Sequence, residues 1–215
     1  MDKKKIVLIL LFVLPITAYI FFSSGVNQFA RLPILVKNIH SLKEFETDSA
    51  SFDDKITLLS FFGHDFETKK AYAFNMKEKI YDKNHEFKDF QVITIISPDQ
   101  EKHIKKFKYD ISATSSDPKY WHFLSLSDSE IKTIFESLES NLELDDQLSS
   151  KNCFIIDKDM SLRGRIKDED EGIKHGYDMS SVAEVNDKLN DDVKVLLAEY
   201  RLELKKYKEK QKEEK

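Results

Sequence analysis

Two short runs of β-branched and aromatic residues, separated by a helical pattern, constrain the fold of this chain more than any other feature. Residues 56–62 (Ile-Thr-Leu-Leu-Ser-Phe-Phe) end at Gly63, and residues 90–96 (Phe-Gln-Val-Ile-Thr-Ile-Ile) end at a Ser-Pro-Asp turn. Runs of this length and composition, bounded by turn residues, are typical of buried strands. Between them, apolar residues recur at helical spacing from about residue 67 to 84. The sequence therefore predicts a strand, a helix and a second strand in succession.

The chain continues this alternation towards its C-terminus. The patterns predict a polar helix over residues 100–109, a short strand over 121–126 and a helix over 128–138 that is capped by Ser127 or Asp128. They then predict a hairpin over residues 153–166 and a long helix with an apolar stripe from 181 to beyond 207. Strands that alternate with helices and end in a hairpin and a helix indicate one sheet with helices packed on it. We predict an α/β fold in which helices flank a central mixed sheet.

A lysine-led apolar run stands at the N-terminus. Lysines at positions 3–5 precede residues 6–22, which carry no charge. This run is at the short end of the length that crosses a bilayer as a helix, and membrane helices tolerate its Pro15. A cleaved signal peptide is the alternative, since small residues follow at 23–25. We predict one uncleaved transmembrane helix with a cytoplasmic N-terminus, because lysines favour that side.

The remaining length divides into three parts. Residues 1–25 are predicted to form the N-terminal stub and the anchor, and residues 26–54 a juxtamembrane linker. Residues 55–207 contain all the strand and helix patterns and are predicted to form the folded domain. Residues 208–215 are almost entirely Lys, Glu and Gln, and are predicted to be a frayed, charged tail.

Charge and cysteine content exclude several classes of function. The net charge is −5 and both signs are mixed along the chain, so nothing indicates a nucleic-acid-binding surface. The chain has one cysteine, Cys153, which excludes an internal disulfide, a CxxC redox pair and a cysteine-rich metal site. No nucleotide-binding or metal-binding motif is found, so we predict no cofactor and no metal.

Three short strings resemble a known superfamily. They are residues 59–63 (Leu-Ser-Phe-Phe-Gly), 120–124 (Tyr-Trp-His-Phe-Leu) and 154–159 (Phe-Ile-Ile-Asp-Lys-Asp). Together with the element order, they resemble the thioredoxin-like superfamily and, within it, the Sco (SenC) family of membrane-anchored copper chaperones. The resemblance implies a thioredoxin-like fold on the far side of a bacterial inner membrane, which would place this domain in the periplasm.

The chain departs from the Sco pattern at every copper ligand. Sco proteins carry a CxxxC motif after the first core strand and a histidine before the hairpin. Here residues 64–71 contain no cysteine, and no histidine lies within ten residues of Ser149, where the ligand would fall. Thiolates are the ligands that select Cu(I), and thiol-disulfide exchange requires an attacking thiolate. The resemblance is therefore to a degenerate Sco-type protein, and it supplies no functional residue.

Three residues remain as candidates for a site. Cys153 opens a strand of buried character, so a small core residue is favoured over a peroxidatic or metal-binding thiolate, which would need exposure and a positive neighbour. His64 and Asp65 lie at the strand-to-helix turn where thioredoxin-like folds carry their chemistry. They could act as an acid-base pair or hold a hard metal, but Asp65 is favoured as the N-cap of the next helix.

Residues 168–172 (Asp-Glu-Asp-Glu-Gly) form the most acidic cluster in the sequence. They lack the glycine and the terminal glutamate of an EF-hand loop. We predict a solvated loop, with a docking patch for a basic partner as the alternative.

These observations lead to one functional hypothesis and two alternatives. The favoured function is a non-catalytic, membrane-tethered binding or assembly protein of the bacterial envelope, with a protein partner and a role related to respiratory-complex biogenesis. The first alternative is a thiol oxidoreductase or peroxidase that uses Cys153. The second is a periplasmic sensor or ligand-binding module, for which the sequence offers no pocket.

Overall fold

A computed structural model of the chain describes residues 3–24, 31–45, 50–112 and 116–213. The chain divides into two compact units, Met1–Ala30 and Arg31–Lys215. The first unit contains helix α1, Lys3–Ser24, which includes Pro15. Its described large apolar side chains are exposed: Leu11, Phe12, Val13, Leu14, Ile16, Tyr19 and Ile20. Across the described ranges, no helix combines the length and the apolar character needed to cross a membrane.

The second unit is built on a mixed sheet. Its described strands are β1 (Ile34–Val36), β2 (Ile56–Gly63), β3 (Phe90–Ile96), β4 (Trp121–Ser125), β5 (Asn152–Ile156), β6 (Leu162–Arg163), β7 (Arg165–Asp168), β8 (Gly172–Lys174) and β9 (Tyr177–Asp178). The sheet has the order β1-β6-β5-β2-β3-β4, with β9 beside β5, whereas β7 and β8 form a separate hairpin. Strands β2, β3 and β4 are parallel to one another, and β5 runs antiparallel to β2.

Helices connect and cover these strands. They are α2 (Phe66–Met76), α3 (Asp82–Asn84), α4 (Glu101–Ser112), α5 (Asp128–Glu136), α6 (Val182–Glu184) and α7 (Asn190–Glu213). A π-helical turn, Lys77–Tyr81, joins α2 to α3, and another, Val185–Leu189, joins α6 to α7. Short 3-10 helices occupy Leu42–Phe45 and Pro98–Gln100. The predicted α/β class, with helices flanking a mixed sheet, is therefore confirmed.

A hydrophobic core lies on each face of the sheet. On one face, side chains of β2, β3 and β4 pack against α2, α4 and the α6–α7 helix; these side chains include Leu58, Val92, Trp121, Phe66, Phe107, Val185 and Leu196. On the other face, they pack against α5 and against Ile39, Leu42 and Phe52, which precede β2. The side chains of the strands and of α5 on this face include Leu59, Phe61, Ile93, Ile131 and Ile134. Strands covered on both faces read as continuous apolar runs, which is why β2 and β3 stand out in the sequence.

Much of the predicted linker belongs to the folded unit, which corrects the boundary at residue 55. Ile34–Val36 pairs with β6, and Leu32, Ile39, Leu42 and Phe52 are each at most 4% exposed. Within its described residues, 31–45 and 50–54, the segment has one strand of three residues and one 3-10 helix, which are too short to show a periodicity in the sequence. Residues 26–30 of that linker lie outside the described residues.

Two further boundaries differ from the predictions. The strand predicted over residues 162–166 is divided at Gly164, where a Cβ atom would lie 2.2 Å from the carbonyl oxygen of Lys174. After this glycine the chain leaves the sheet and forms the β7–β8 hairpin, so the acidic cluster is the turn of a hairpin. Helix α7 continues through Glu213, where a frayed tail was predicted from residue 208.

Candidate functional site

The carboxyl ends of β2, β3 and β4 meet at one edge of the sheet. Three parallel strands bring the turns that follow them together, and this edge is where open α/β sheets bind ligands. His64 follows β2, Asp99 follows β3 and Asp128 follows β4. Their side chains form the candidate site, which we call the His64 cluster.

His64 bridges the two aspartates. Its Nδ1 atom lies 2.8 Å from Asp99 Oδ1, and its Nε2 atom lies 2.9 Å from Asp128 Oδ1. Two carboxylates can both accept a hydrogen bond from the ring only when both nitrogens carry protons. The geometry therefore favours the imidazolium form and joins three loops through one side chain.

The charges of the cluster shift its titration. Burial disfavours protonation of His64, but hydrogen bonds to Asp128 and Asp99 outweigh burial, so the pKa of His64 is raised. Burial disfavours ionisation of Asp99, but hydrogen bonds from Gln100 and His64 outweigh it, and the pKa of Asp99 is lowered. An imidazolium with two carboxylates has no unprotonated nitrogen, so in this state His64 does not act as a general base.

Gly63 positions His64 against a second loop. Its φ angle is +47°, and a Cβ atom there would lie 2.1 Å from the carbonyl oxygen of Gln147. This close approach lets the backbone N–H of His64 donate to that same carbonyl at 2.8 Å. Ser149, where the Sco resemblance places the copper histidine, is fully buried and donates its hydroxyl to Asp145 at 2.6 Å.

Asp65 lies at the predicted N-cap position of α2, but its side chain does not cap the helix, since it accepts no capping hydrogen bond. The carboxylate lies 3.8 Å from the Nζ atom of Lys69, one turn into the helix, and Lys69 also approaches Asp145 at 3.5 Å. The partners of His64 are therefore Asp99 and Asp128, and the adjacent Asp65 is used elsewhere.

Cys153 lies inside the sheet. It is 0% exposed and pairs with Ser60 on β2 and with Tyr177 on β9. Burial, followed by the negative charges of Glu184 and Asp178, raises the pKa of its thiol. A reactive cysteine needs a stabilised thiolate and access. Lys151, the nearby cation in the sequence, is paired with Asp178 at 2.7 Å.

Nothing in the described ranges assembles three or more His, Cys, Asp or Glu side chains around a possible metal ion. In the His64 cluster the two aspartates contact opposite edges of the imidazole ring, so the three groups do not converge on one point. In the acidic hairpin turn, Asp168 and Asp170 bind Lys188 at 2.9 and 2.6 Å. The turn is therefore held by an ion pair and is not simply solvated.

Asp99 and Asp128 are the site residues that sequence analysis missed. Asp99 was assigned to a turn and Asp128 to a helix cap. Each lies in the turn that follows a run predicted as a strand, and the turns after parallel strands of one sheet meet at one edge. That rule, applied to the predicted strands, is the signal that would have grouped them with His64.

Comparisons with known proteins support the fold. No family model and no curated protein matches the chain. Among solved structures, the chain is similar to BsSco, a member of the Sco family of cytochrome c oxidase assembly proteins, with a TM-score of 0.54 and 18% identity over 78% of this chain and 98% of that one. It is also similar to a SCO1/SenC family lipoprotein from Bacillus anthracis str. Ames, with a TM-score of 0.47 and 13% identity over 80% and 99% of the two chains. A thiol:disulfide interchange protein from Bacteroides sp. follows, with a TM-score of 0.38 and 17% identity over 62% and 79%.

The predicted resemblance is confirmed: the chain has a thioredoxin-like fold that is similar to the fold of BsSco. At these identities the likeness concerns the fold. The chemistry at the carboxyl edge of the sheet has to be inferred from the residues of this chain.

Proposed function

We propose that this chain is a membrane-tethered, thioredoxin-like binding or assembly protein of the bacterial envelope that performs no thiol or copper chemistry. The observation that carries the proposal is the position of Cys153, whose sulfur is sealed inside the sheet. The turn after β2 carries His64 in place of a thiol, and both ring nitrogens of His64 are bound to carboxylates.

The His64 cluster supports a structural use of this edge. One imidazolium joins the turns that follow three strands, which fixes their relative positions. A fixed, charged edge suits recognition of another protein, because pre-formed surfaces lose less entropy on binding. The side chains of Asp99 and Asp128 are 52% and 60% exposed, so both carboxylates are accessible to a partner.

The tether is proposed from the sequence. Three lysines precede the uncharged apolar residues 6–22, and the domain would follow on the periplasmic side of a bacterial inner membrane. Confinement near a membrane raises the effective concentration of the domain for membrane partners. Since BsSco belongs to a family of cytochrome c oxidase assembly proteins, we extend the proposal to assembly of respiratory complexes.

Labelling of Cys153 tests the absence of thiol chemistry. The full chain in mild detergent is treated with a thiol-alkylating reagent, and the added mass is followed with time, without and with denaturant. We expect protection in the folded chain and complete labelling after unfolding, because the thiol is buried and its pKa is raised. A parallel titration with Cu(I) is expected to show no stoichiometric binding.

Two outcomes would contradict the proposal. Rapid labelling of the folded chain, together with a thiol-dependent activity that Cys153→Ser abolishes, would establish the oxidoreductase alternative. Stoichiometric Cu(I) binding would establish a copper protein. The partner itself is sought by photo-crosslinking from position 128 in intact membranes, with position 83, an exposed lysine on α3, as the control.

A further inference from the structure

A cavity of about 480 Å³ lies at the opposite end of the sheet from the His64 cluster. It is lined by residues at or just before the first residues of β2, β3 and β4, and by the chain that precedes β2. Its size falls within the range of about 300–1,000 Å³ that small-molecule sites occupy. Its lining includes Ala50, Lys55, Lys88, Gln91, Tyr120 and His122.

Positive charge in this cavity is not neutralised by the described residues. The Nζ atom of Lys55 donates to the backbone carbonyl of Lys88 at 3.0 Å, and neither lysine has a carboxylate partner in the described part of the chain. Lys43, which also lines the cavity, is already paired with Asp53, the one acidic residue among the described residues of the lining. Two lysines therefore remain for an incoming anion.

The imidazole ring of His122 adds a polar group that makes no hydrogen bond to the described residues. His122 is partly buried on the edge strand β4. Neither nitrogen is sealed from solvent. Burial, followed by the positive charges of Lys108 and Lys55, lowers the pKa of His122. The imidazole is therefore neutral at pH 7 and has one N–H to donate.

Gln91, which lines the cavity, is held by hydrogen bonds within the protein. The amide nitrogen of Gln91 donates to the carbonyl oxygen of Ser51 at 2.7 Å and to the hydroxyl of Thr57 at 2.8 Å, so its donors are used within the protein. Tyr120 and Ala50, which are partly exposed, supply apolar wall, whereas the side chain of Phe90 is 0% exposed and belongs to the core. Pockets with mostly apolar walls and a few convergent polar groups are the usual form of small-molecule sites.

We infer that this cavity binds a small organic anion, with one carboxylate or phosphate held by Lys55, Lys88 and His122 and an apolar body lying along Tyr120 and Ala50. A phosphate or a carboxylate accepts hydrogen bonds from ammonium groups and from an imidazole N–H, and such charge-assisted bonds are stronger than neutral ones. The ligand supplies the negative charge that the described residues around the cavity lack.

Calorimetric titration of the full chain in mild detergent tests the inference. The probes are phenyl phosphate, phenylacetate, inorganic phosphate and benzyl alcohol. We expect the two aromatic anions to bind at least about tenfold more tightly than inorganic phosphate or benzyl alcohol, because only they satisfy both the charges and the wall. The ring resonances of His122 should shift on binding, and the stronger of the two aromatic anions identifies the headgroup.

Lysine variants provide the specificity control. Lys55→Gln and Lys88→Gln are each expected to weaken binding of the preferred anion about tenfold. Lys102→Gln removes the same charge from an exposed position on α4, beside the other end of the sheet, and should leave binding unchanged. Circular dichroism confirms that each variant is folded; Lys88 is exposed, so its variant tests the site even if Lys55→Gln does not fold.

Several results would overturn the inference. If benzyl alcohol binds as tightly as the aromatic anions, the cavity does not recognise negative charge. If inorganic phosphate binds as tightly as they do, the apolar wall does not contribute to binding. An equal loss of affinity in Lys102→Gln would indicate that the overall charge of the protein, and not the cavity, controls binding. Absence of binding by both aromatic anions at about 10 mM, far weaker than typical small-molecule sites, would exclude the site.

Discussion

His64 shows how one side chain can connect three parts of a sheet edge. It lies 32% exposed between Asp99 and Asp128, so solvent screens its ion pairs in part. The contribution to stability is therefore expected to be small, about 0.5–1 kcal/mol, and to depend on pH. The role that we propose for it is positional: it keeps two exposed carboxylates at a fixed separation.

The pH dependence of that contribution has a defined sign. The pKa of folded His64 is raised above the unfolded value of about 6.5, so its stabilisation is fully present below about pH 6.5 and is lost as the pH rises through the folded pKa. The pKa of Asp99 is lowered, so its part is present above about pH 3.9 and is lost as the pH falls through the lower folded pKa. We expect His64→Gln to destabilise the protein most between about pH 4 and 6.5, measured by urea unfolding at a series of pH values.

A double-mutant cycle provides the control for this prediction. In a background carrying Asp99→Asn and Asp128→Asn, His64→Gln should have a smaller effect with no maximum in that pH range, because the partners of the imidazolium are gone. An equal, pH-independent loss in both backgrounds would mean that the ion pairs do not stabilise the edge.

Arg163, on β6, joins three separate segments of the chain. From β6 its guanidinium donates to the carbonyl oxygen of Leu32 at 2.8 Å, to Asp157 at 2.9 Å and to Glu199 on α7 at 2.6 Å. The side chains of Arg163 and Asp157 are 5% and 1% exposed. One buried cation thus links the chain before β1, the β5–β6 turn and the C-terminal helix.

Removal of this cation is expected to be costly. Arg163→Met leaves Asp157 and Glu199 as buried or nearly buried carboxylates without their partner, and breaking a buried ion pair on one side costs about 3–5 kcal/mol. The measurement is the free energy of unfolding in urea at pH 7. Lys151→Met is the matched control: it breaks the pair with Asp178 from a lysine that is 60% exposed, and should cost less than about 1 kcal/mol. Similar losses in the two variants would contradict a special role for Arg163.

The elements differ in how far their sequences predict them. Strands β2 and β3 are apolar along their whole length because both of their faces are covered, so composition alone identifies them. Ser127 is the N-cap of helix α5, and its backbone N–H donates to Glu130 at 2.8 Å. This capping pattern is visible in the sequence. Strand β1 has three residues and no clear pattern, and only its pairing with β6 defines it.

The boundary of the folded unit is a property of the whole molecule. The unit begins at Arg31, about 24 residues before the first strong strand pattern. Leu32, Ile39, Leu42 and Phe52 complete its two cores. Full burial of one large apolar side chain stabilises a protein by about 1.5–3 kcal/mol, so four of them approach the total stability of a typical domain.

Two truncations test this boundary. We expect a chain of residues 31–215 to unfold cooperatively in urea, followed by circular dichroism, since it retains both cores. A chain of residues 55–215, which begins where the sequence places the domain, should lose most of its stability and show no cooperative transition. If both chains unfold at the same urea concentration, residues 31–54 do not belong to the fold.

The sequence by itself determined the succession of strands and helices, the burial of Cys153 and the thioredoxin-like class. The succession and the burial follow from short-range periodicity and from the composition of fully covered strands, which neighbouring residues determine. The thioredoxin-like class was implied by the resemblance of three short strings to a known superfamily. Tertiary structure alone decided that His64 meets Asp99 and Asp128 and not Asp65, that Leu32, Ile39, Leu42 and Phe52 complete the core, and that Lys55, Lys88 and His122 border one cavity. Each of these contacts depends on which strands are neighbours in the sheet and on the direction of the turns that follow them. Because the contacting residues are tens of positions apart, no pattern among neighbouring residues predicts these contacts.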